Sequence, residues 1–351
     1  MVLQDPMPTA VRGPMVARRL DRIRAIAGAH GGGVAVLSSR ANVAWATAGG
    51  QHHVVLSSDT GVASLLVTAT DAILVAPSIE VARLESEEIA GLGIKVVAVP
   101  WWKSGGMGAA IADLAEGRPR LDDGELEADL RPERSVLAAA DVDRLVELGR
   151  AAEDAVTDAL AAIEPGTTED ELAACLVGRL VGTRAPVVLV AADERIERFR
   201  HPLPTGKPIR GRVMLVLVAE AWGLHVAFTR IREFVQPAPR IADRLSAVVD
   251  VQRAMTRATT VGATMGDVFA AACEAYAAAG WPDEWRDHHQ GGTIAYHGRE
   301  VVATPGDRTV IEPGMAFAWN PSIAGAKAED TFVLLPDGGR RFVTGSDPLA
   351  P

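Results

Sequence analysis

A short phrase occurs twice in the second half of the chain, each time directly before a helical pattern. Residues 165–168 read Pro-Gly-Thr-Thr, and residues 261–264 read Val-Gly-Ala-Thr. Leu172 and Val268 lie at the same offset after each phrase. Gly-x-Thr before a helix is common, so the match alone is weak support for an internal repeat. It still constrains the fold, because it predicts two similar helix-plus-strand halves that face one another.

A change in composition divides the chain into two regions. Between Leu121 and Arg134 the sequence becomes highly charged and contains a proline at position 132, which is typical of a domain junction. With 351 residues, of which 48% are hydrophobic and 23% charged, the chain has core material for about two domains. We therefore predict one domain over residues 1–135 and a second over residues 136–351.

The region before this junction alternates between helical and strand patterns. Apolar residues at helical spacing predict helices over residues 15–29 and 78–89. Short apolar runs predict strands at residues 34–37, 54–56, 64–68, 72–75 and 94–99. Such alternation indicates a small α/β domain.

The region after the junction is richer in long helical patterns. Residues 168–171 form a predicted capping box that opens a helix through Leu180. Further helices are predicted over residues 141–163, 241–261 and 265–279. Strands are predicted at residues 187–190, 213–218, 316–319 and 331–335.

Charge and hydropathy exclude several classes of protein. The net charge of −10 and the pI near 5.4 argue against nucleic acid or an anionic membrane as the main partner. No window reaches the ~18 apolar residues of a membrane span, and the first twenty residues lack the apolar run of a signal peptide. Cys175 and Cys273 lie in Ala-rich helical patterns and are expected to be small buried hydrophobes. We therefore predict a cytoplasmic protein.

Polar side chains are unusually dense between residues 284 and 300. The stretch holds three histidines, two arginines, two glutamates and an aspartate around a glycine pair at 291–292. Histidine titrates near working pH, and paired glycines let the backbone approach a ligand closely. The alternative is a solvated loop with an incidental histidine pair. We interpret the stretch as the floor of an active site.

Five phrases in the second region occur in an order that resembles a known superfamily. They are residues 164–169 (Glu-Pro-Gly-Thr-Thr-Glu), 223–230 (ending Thr-Arg), 289–292 (His-Gln-Gly-Gly), 311–315 (Ile-Glu-Pro-Gly-Met) and 329–331 (Glu-Asp-Thr). They resemble the pita-bread (M24-type) superfamily of creatinase, prolidase, aminopeptidase P and methionine aminopeptidase, and residues 39–45 look like the creatinase-type N-terminal domain. The resemblance implies an α+β fold, with two pseudo-symmetric halves around a curved antiparallel sheet and a smaller N-terminal α/β domain.

The resemblance also implies where the two metal ions of the family's peptidases would sit. The ligand positions, normally two Asp, one His and two Glu, fall here on Val216, Ala227, His289, Asn320 and Glu329. Val216 and Ala227 offer no lone pair, and Asn320 offers only a neutral carbonyl oxygen. Because a two-metal clamp needs bridging negative charge, we expect this member to lack most metal ligands, to bind no metal and to use no cofactor.

Creatinase has this fold and cleaves a C–N bond without metal, so the resemblance implies acid–base chemistry by the remaining side chains. Catalytic roles are predicted for His201, His289, Glu329 and Glu300. Substrate-binding roles, which include gripping a carboxylate and stabilising an oxyanion, are predicted for Arg200, Arg230, Gln290, Tyr296, His297, Arg299, Trp319 and Asn320. By count, the substrate-facing histidine of the family falls on Tyr296, and His297 is one residue beyond. We therefore expect one of these two side chains to face the pocket.

Several of these residue types have a structural alternative. His201 is also suited to capping a turn, Arg230 to a structural ion pair and Trp319 to the core. His288 is expected to be structural, since neighbouring strand residues face opposite ways. Lys327 lies in a predicted loop and is expected to be solvated.

Taken together, these features predict a metal-independent, creatinase-like hydrolase that cleaves a C–N bond of a small amide, amidine or dipeptide-like molecule. One alternative is a catalytically altered ligand- or peptide-binding module. Others are an Xaa-Pro-type aminopeptidase with unusual metal ligands, or a lyase, since fold does not fix chemistry. The resemblance also implies a homodimer. The expected partner is therefore a small-molecule substrate, with no nucleic acid and no membrane.

Overall fold

The structure is a computed structural model that describes residues 3–349, apart from the side chain of Thr9. Its contacts divide the chain into two compact units. The N-terminal unit contains Met7–Arg134 and Trp222–Leu224, and the C-terminal unit contains Ser135–Ala221 and residues 225–349 with residues 3–6. Within the described residues, no helix is both long and apolar enough to cross a membrane.

The N-terminal unit is an α/β domain, as its alternating pattern predicts. Its elements are α1 (Thr9–Ala29), β1 (Val34–Ser39), α2 (Arg40–Ala46), β2 (Thr60–Val67), β3 (Ala72–Pro77), α3 (Val81–Arg83), β4 (Lys95–Val99), α4 (Gly106–Ala115), β5 (Arg120–Asp122) and α5 (Asp123–Ser135). The strands form one sheet in the order β4-β3-β2-β1-β5. Strand β2 runs antiparallel to both of its neighbours, whereas β4 and β5 pair in parallel at the two edges.

Two of the expected elements in this unit differ from the structure. The strand predicted at residues 54–56 is wrong, because Val54, Val55 and Leu56 lie in an exposed loop between α2 and β2. An apolar run becomes a strand only where a partner strand pairs with it, and none of the described strands does so here. The helix predicted over residues 78–89 is instead the short α3, followed by a π-helical turn over Leu84–Glu88.

The C-terminal unit combines helices with antiparallel strands. Its elements are α6 (Ala139–Ala161), α7 (Glu169–Val177), β6 (Arg184–Ala192), α8 (Glu194–Arg198), β7 (Arg212–Ala221), β8 (Leu224–Glu233), α9 (Pro239–Ala258), α10 (Met265–Ala278), β9 (Gly291–Thr293), β10 (Val301–Val302), β11 (Ala316–Trp319), β12 (Ser322–Ile323), β13 (Ala326–Lys327), β14 (Asp330–Leu334) and β15 (Arg340–Phe342). The strands form sheets in the orders β6-β7-β8 and β10-β9-β11-β14-β15, and β12 pairs with β13.

The glycine pair at 291–292 is required by strand packing in the second sheet. Strand β9 lies between β10 and β11. A Cβ atom on Gly291, whose φ is +88°, would lie 2.1 Å from the carbonyl oxygen of Ala318. A Cβ atom on Gly292 would lie 1.9 Å from the carbonyl oxygen of Val301. Larger residues would therefore push the neighbouring strands apart at the floor of the candidate site.

The two halves predicted from the repeated phrase are present in the C-terminal unit. Gly166 donates its N–H to the carbonyl oxygen of Ile209 over 2.7 Å, and Gly262 donates to that of Ile311 over 2.9 Å. In each half the phrase therefore pairs with a later segment of the chain. The separation is 43 residues in the first half and 49 in the second. Both glycines have a positive φ, of 104° and 86°.

The helices that follow these phrases begin in the same way. Thr168 accepts the N–H of Glu171 at the start of α7, and Thr264 accepts the N–H of Asp267 at the start of α10. In return, each carboxylate accepts the backbone N–H of its threonine, at 2.7 and 2.8 Å. Both are complete capping boxes, so the local sequence alone specifies where the two helices begin.

Candidate active site

Three histidine side chains meet in the C-terminal unit. Nε2 of His288 lies 3.1 Å from Nε2 of His201, within hydrogen-bond distance. The ring of His289 completes the group, with its centroid 4.6 Å from that of His288 and 5.8 Å from that of His201. One ring nitrogen from each residue lies within 4.8 Å of the others. Because His288 is buried and the other two are exposed, the cluster forms a site that solvent can reach.

A buried glutamate holds the segment that carries His201. Glu169, on the first turn of α7, accepts hydrogen bonds from the N–H and the hydroxyl of Thr205 at 3.0 and 2.7 Å. The same carboxylate forms an ion pair with Arg195 of α8, which in turn donates to the carbonyl oxygen of Leu203 over 2.9 Å. Glu169 therefore fixes the loop between α8 and β7 on both sides of His201.

His288 is held by groups on its other side. Its Nδ1 lies 3.1 Å from the hydroxyl of Ser322 in β12. Ser322 is itself fixed, because its N–H donates to the hydroxyl of Tyr276 over 2.8 Å. His288 therefore has the expected structural contact through Nδ1, but its Nε2 also contacts His201 and so belongs to the site.

The carboxylate of Glu329, which immediately precedes β14, carries two cations. Its Oε2 lies 2.8 Å from Nζ of Lys327, and its Oε1 accepts a hydrogen bond from Arg299 over 2.7 Å. The hydroxyl of Thr229 in β8 also donates to Oε2, over 2.9 Å. Glu329 and Lys327 are 2% and 8% exposed, so this is a buried ion cluster with one more positive than negative charge.

These charges decide the protonation of the site. Burial opposes ionisation of Glu329, but the charges of Lys327 and Arg299 outweigh it and lower the pKa of this carboxyl to about 2. Burial, together with the charge of Lys327, lowers the pKa of His288 to about 2. The pKa of His201 is lowered in the same way, by partial desolvation and then by Lys327. At neutral pH the site therefore holds neutral imidazoles beside an ionised carboxylate.

Lys327 is the site residue that the sequence reasoning missed. It was expected to be solvated, but it lies on the short hairpin of β12 and β13, where it pairs in register with Ser322. The turn of this hairpin contains Gly325, with a φ of +86° and a notional Cβ only 2.8 Å from the side chain of Glu197. The turn of the hairpin therefore lies close to Glu197, and Lys327 on the hairpin is buried. The proximity of Lys327 to Glu329 in sequence, two residues apart, was the available signal.

Asn320 lies opposite Glu329 and has an unused acceptor. Trp319 pairs with Asp330 in the β11–β14 ladder, so continuing the register places Asn320 and Glu329 across from one another. The side chain of Asn320 is 2% exposed. Its Oδ1 is buried and has no hydrogen-bond partner among the described residues. A buried acceptor without a hydrogen-bond donor costs free energy. A donor group of a ligand therefore fits at this oxygen.

The arginines predicted to bind substrate differ in their surroundings. Arg299 contacts Glu329, as described above. Arg200 pairs with Glu284 at 2.5 Å and reaches the hydroxyl of Ser322 at 3.4 Å, so it is connected to His288 through Ser322. Arg230 forms ion pairs with Glu153 and, at 2.8 Å, with Asp330. The structure therefore gives Arg230 the structural ion pair that was its alternative role.

Other predicted residues have their polar groups committed to the protein. Gln290 accepts from the hydroxyl of Tyr276 over 2.9 Å and donates to the carbonyl oxygen of His288 over 2.5 Å. Glu300 accepts the N–H of His297 over 3.0 Å and so closes the turn before β10. Gln290 and Glu300 are 0% and 6% exposed. Their contacts support the backbone around the histidines.

The two large aromatic residues lie in the interior. The hydroxyl of Tyr296 donates to Asp141 of α6 over 2.8 Å, and both residues are buried. The indole N–H of Trp319 donates to the hydroxyl of Thr259 over 2.9 Å, and its ring belongs to a hydrophobic core cluster. Neither side chain is brought to the histidine cluster by a described contact.

The donor set does not fit the two metal ions of the resemblance. Val216 is 3% exposed and belongs to an apolar cluster with Leu189 and Met214. Ala227 is fully buried, and its backbone exchanges hydrogen bonds with the hydroxyl of Thr331. Val216 and Ala227 carry no charge, and Glu329 is already paired with two cations of the chain. A dinuclear centre needs negative charge that this site does not provide.

Comparison with known proteins agrees with this fold. Residues 143–336 match the model of metallopeptidase family M24. The dipeptidase PepE from Mycobacterium ulcerans is 23% identical with a TM-score of 0.74, covering 95% of this chain and 96% of that one. The prolidase from Pyrococcus horikoshii OT3 is 17% identical with a TM-score of 0.77, covering 94% and 98%.

A third solved structure is named differently. The N-terminal domain of the FACT complex subunit SPT16 from chickpea is 12% identical with a TM-score of 0.72, covering 96% of this chain and 98% of that one. No curated protein matched the sequence. The family match extends over more than half of the chain, and at these identities the solved structures establish the pita-bread fold with its N-terminal domain. The chain is therefore a member of metallopeptidase family M24.

Proposed function

We propose that this protein is a hydrolase that cleaves a C–N bond in a small amide, amidine or dipeptide-like substrate without the two-metal centre of its family. Membership of a peptidase family supports hydrolysis. The observation that carries the proposal is the buried Glu329, whose carboxylate holds Lys327 at 2.8 Å and Arg299 at 2.7 Å. In this proposal, the two cations supply positive charge next to Glu329, as metal ions do in the peptidases of the resemblance.

The charge of this cluster supplies the electrostatic part of the reaction. Lys327 and Arg299 contribute two positive charges against one negative charge on Glu329, in a region shielded from water. Positive charge that is fixed before the reaction stabilises an oxyanion as it develops. The unpartnered Oδ1 of Asn320 can accept an N–H of the substrate and so orient the scissile bond.

Proton transfer is assigned to the histidine cluster. His201 is exposed, and its Nε2 meets that of His288. During hydrolysis water adds to the carbon, the C–N bond breaks, and the water's proton must reach the leaving nitrogen. His201 is placed to carry that proton, and His289 to position the water. Glu300 keeps a supporting role, because it orders the turn that leads to Arg299.

The test uses chelator-treated protein and a panel of small C–N substrates. Dipeptides, including Xaa-Pro dipeptides, head the panel, because similar structures are named as dipeptidases and prolidases. We expect turnover after chelation, and a loss of kcat/KM of at least about 100-fold in Glu329→Gln and Lys327→Met. Lys207→Met, the same change at an exposed lysine, is the control. Activity that disappears on chelation and returns with about two ions per chain would overturn the proposal.

A second candidate is a binding module without catalysis; one structure of the same fold is named as a domain of a complex subunit. Calorimetric titration of the same panel distinguishes the two functions. Binding that depends on Asn320 and Lys327, without turnover of any panel member, would favour the module. From the resemblance we also propose a homodimer, which light scattering of the purified chain can test. The expected state of the two cysteines supports a cytoplasmic location, which fractionation of cells can test.

A further inference from the structure

The histidine cluster contains more imidazoles than proton transfer needs. His201, His288 and His289 each direct one ring nitrogen into a region 4.8 Å across. A single general acid–base group requires one such nitrogen and an orienting partner. Three neutral nitrogen donors in one place are instead the ligand set of a mononuclear zinc site.

The spacing of the nitrogens agrees with a shared ion. At the Zn–N distance of 2.0–2.1 Å, two nitrogens on one tetrahedral ion lie about 3.3 Å apart. The Nε2 atoms of His201 and His288 are 3.1 Å apart. His289 is exposed and can rotate the remaining distance, exchanging the long 3.3 Å hydrogen bond that its Nδ1 accepts from Gly291.

The surroundings of His288 support coordination. Its Nδ1 contacts the hydroxyl of Ser322 at 3.1 Å. An outer hydrogen bond of this kind fixes the orientation of a ligating imidazole. With His288 fixed and His201 and His289 exposed, the cluster has one rigid ligand and two that can close around an ion, with a fourth position open to water.

We propose that His201, His288 and His289 together bind one transition-metal ion of the Zn²⁺ type, and that this ion inhibits the protein. It would sit on imidazole nitrogens and not at the family's carboxylate positions, where Glu329 is already paired with Lys327 and Arg299. Nitrogen ligands select Zn²⁺, Ni²⁺ or Cu²⁺ over Mg²⁺, Ca²⁺ and Mn²⁺. Inhibition follows because the ion replaces the proton between His201 and His288. The inhibition rests on the proposed function, whereas the binding of the ion does not.

The nearby cations predict the direction in which zinc affinity changes when one of their charges is removed. Lys327 and Arg299 lie close enough to act on the histidines electrostatically. They repel a dication and so weaken its binding. Removing the charge of Lys327 should therefore tighten zinc binding by about tenfold or more, although the same change is expected to lower kcat/KM by at least about 100-fold. An ion at the carboxylate positions would also gain from this change, so the histidine variants are needed to locate it.

The experiment measures binding directly. The chelator-stripped full chain competes with a chromophoric chelator for Zn²⁺, and Co²⁺ is added separately to record the visible absorption of a nitrogen-coordinated ion. We expect one ion per chain, and an affinity at least about tenfold lower in His201→Gln and in His288→Gln. His201 is exposed, so its variant should fold even if the buried His288 variant does not. His30→Gln, at an exposed histidine in the N-terminal unit, is the matched control.

Several outcomes would overturn the proposal. These are an absence of one-to-one binding, equal affinity in wild type and both histidine variants, or Mg²⁺ and Mn²⁺ competing as well as Zn²⁺. Where a substrate is known, Zn²⁺ should inhibit and chelator should restore full activity; binding without inhibition would refute the inhibitory half. If no substrate is turned over, the proposed hydrolase fails, while the titration still decides the metal site.

Discussion

Glu329 shows how a single buried carboxylate can be kept ionised by its neighbours. An isolated buried carboxylate would raise its pKa and become neutral. Here Lys327 and Arg299 reverse that tendency and lower the pKa to about 2. The burial of each charged group therefore depends on the opposite charge beside it. Removing one group should destabilise the folded protein.

Lys327→Met should lower the free energy of unfolding by about 3 kcal/mol, because it leaves Glu329 buried with one cation fewer. Urea unfolding of the purified variant measures the change. The double variant Lys327→Met/Glu329→Gln should recover part of this loss, since the uncompensated charge is gone. Lys207→Met, at an exposed lysine, should stay within about 0.5 kcal/mol of wild type. Equal effects at Lys327 and Lys207 would contradict the buried ion pair.

Asn320→Leu should leave the protein as stable as wild type or up to about 1 kcal/mol more stable, because it removes a buried acceptor without a partner among the described residues. The same variant should also bind the ligand more weakly, because leucine lacks the oxygen that accepts an N–H of the ligand. Asn42→Leu is the matched control. Asn42 is also buried, but it donates to Asp123 and accepts from Arg134, so its loss should cost more than about 2 kcal/mol. Similar stability losses in both variants would refute the proposed ligand role of Asn320.

At the scale of elements, helix starts are local and strand pairing is not. The capping boxes of α7 and α10 could be placed from four consecutive residues, because each threonine and its carboxylate partner satisfy one another. The exposed apolar run at Val54 could not be separated from a true strand, because only a partner decides the outcome. Lys327 was misjudged for the same reason, since its burial depends on a hairpin whose fold is not written in adjacent residues.

Thr168→Ala and Thr264→Ala should each lower the free energy of unfolding by about 1 kcal/mol, because each removes a side-chain acceptor at the start of a helix. Chemical denaturation measures both. The corresponding serine variants should retain most of the stability. Thr260→Ala, an exposed threonine close to the second box, should change little. If only one of the two caps mattered, the equivalence of the two halves would be limited to their backbone.

At the scale of the whole molecule, the resemblance carried by short phrases specified the family and the pita-bread fold. The site was less accessible from sequence, because long-range contacts determine it. His288 contacts His201 across 87 positions, and Thr229 contacts Glu329 across 100. Residue types could nominate these histidines, but only the folded chain brings them to one another.

Acid should destabilise the protein through a histidine in the N-terminal unit. Burial lowers the pKa of His52 from 6.5 to about 4, against opposing effects of the Ser38 carbonyl and Asp123; Arg40 and Arg83 lower it slightly further. Between pH 6.5 and 4 the unfolded chain therefore binds a proton that the folded chain does not. His52 alone should therefore lower the free energy of unfolding by up to about 3 kcal/mol as pH falls through this window.

The pH dependence of urea unfolding in wild type and His52→Gln tests this expectation. The variant should show a shallower decline below pH 6.5, because it no longer takes up the proton on unfolding. The comparison at pH 7 gives the cost of the substitution itself, which includes the loss of the 3.1 Å contact with the carbonyl oxygen of Ser38. Parallel profiles for the two proteins would show that another group governs the acid response.

The ammonium and guanidinium that face Glu329 are attached to the backbone, whereas the ions of a metalloenzyme arrive by diffusion. Their occupancy is complete as soon as the chain has folded, and it does not depend on the metal content of the cell. Such a site can be neither starved of its cations nor loaded with the wrong ones. The sequence itself sets the charge of these two groups, so substitution at Lys327 or Arg299 changes the electrostatic field at Glu329.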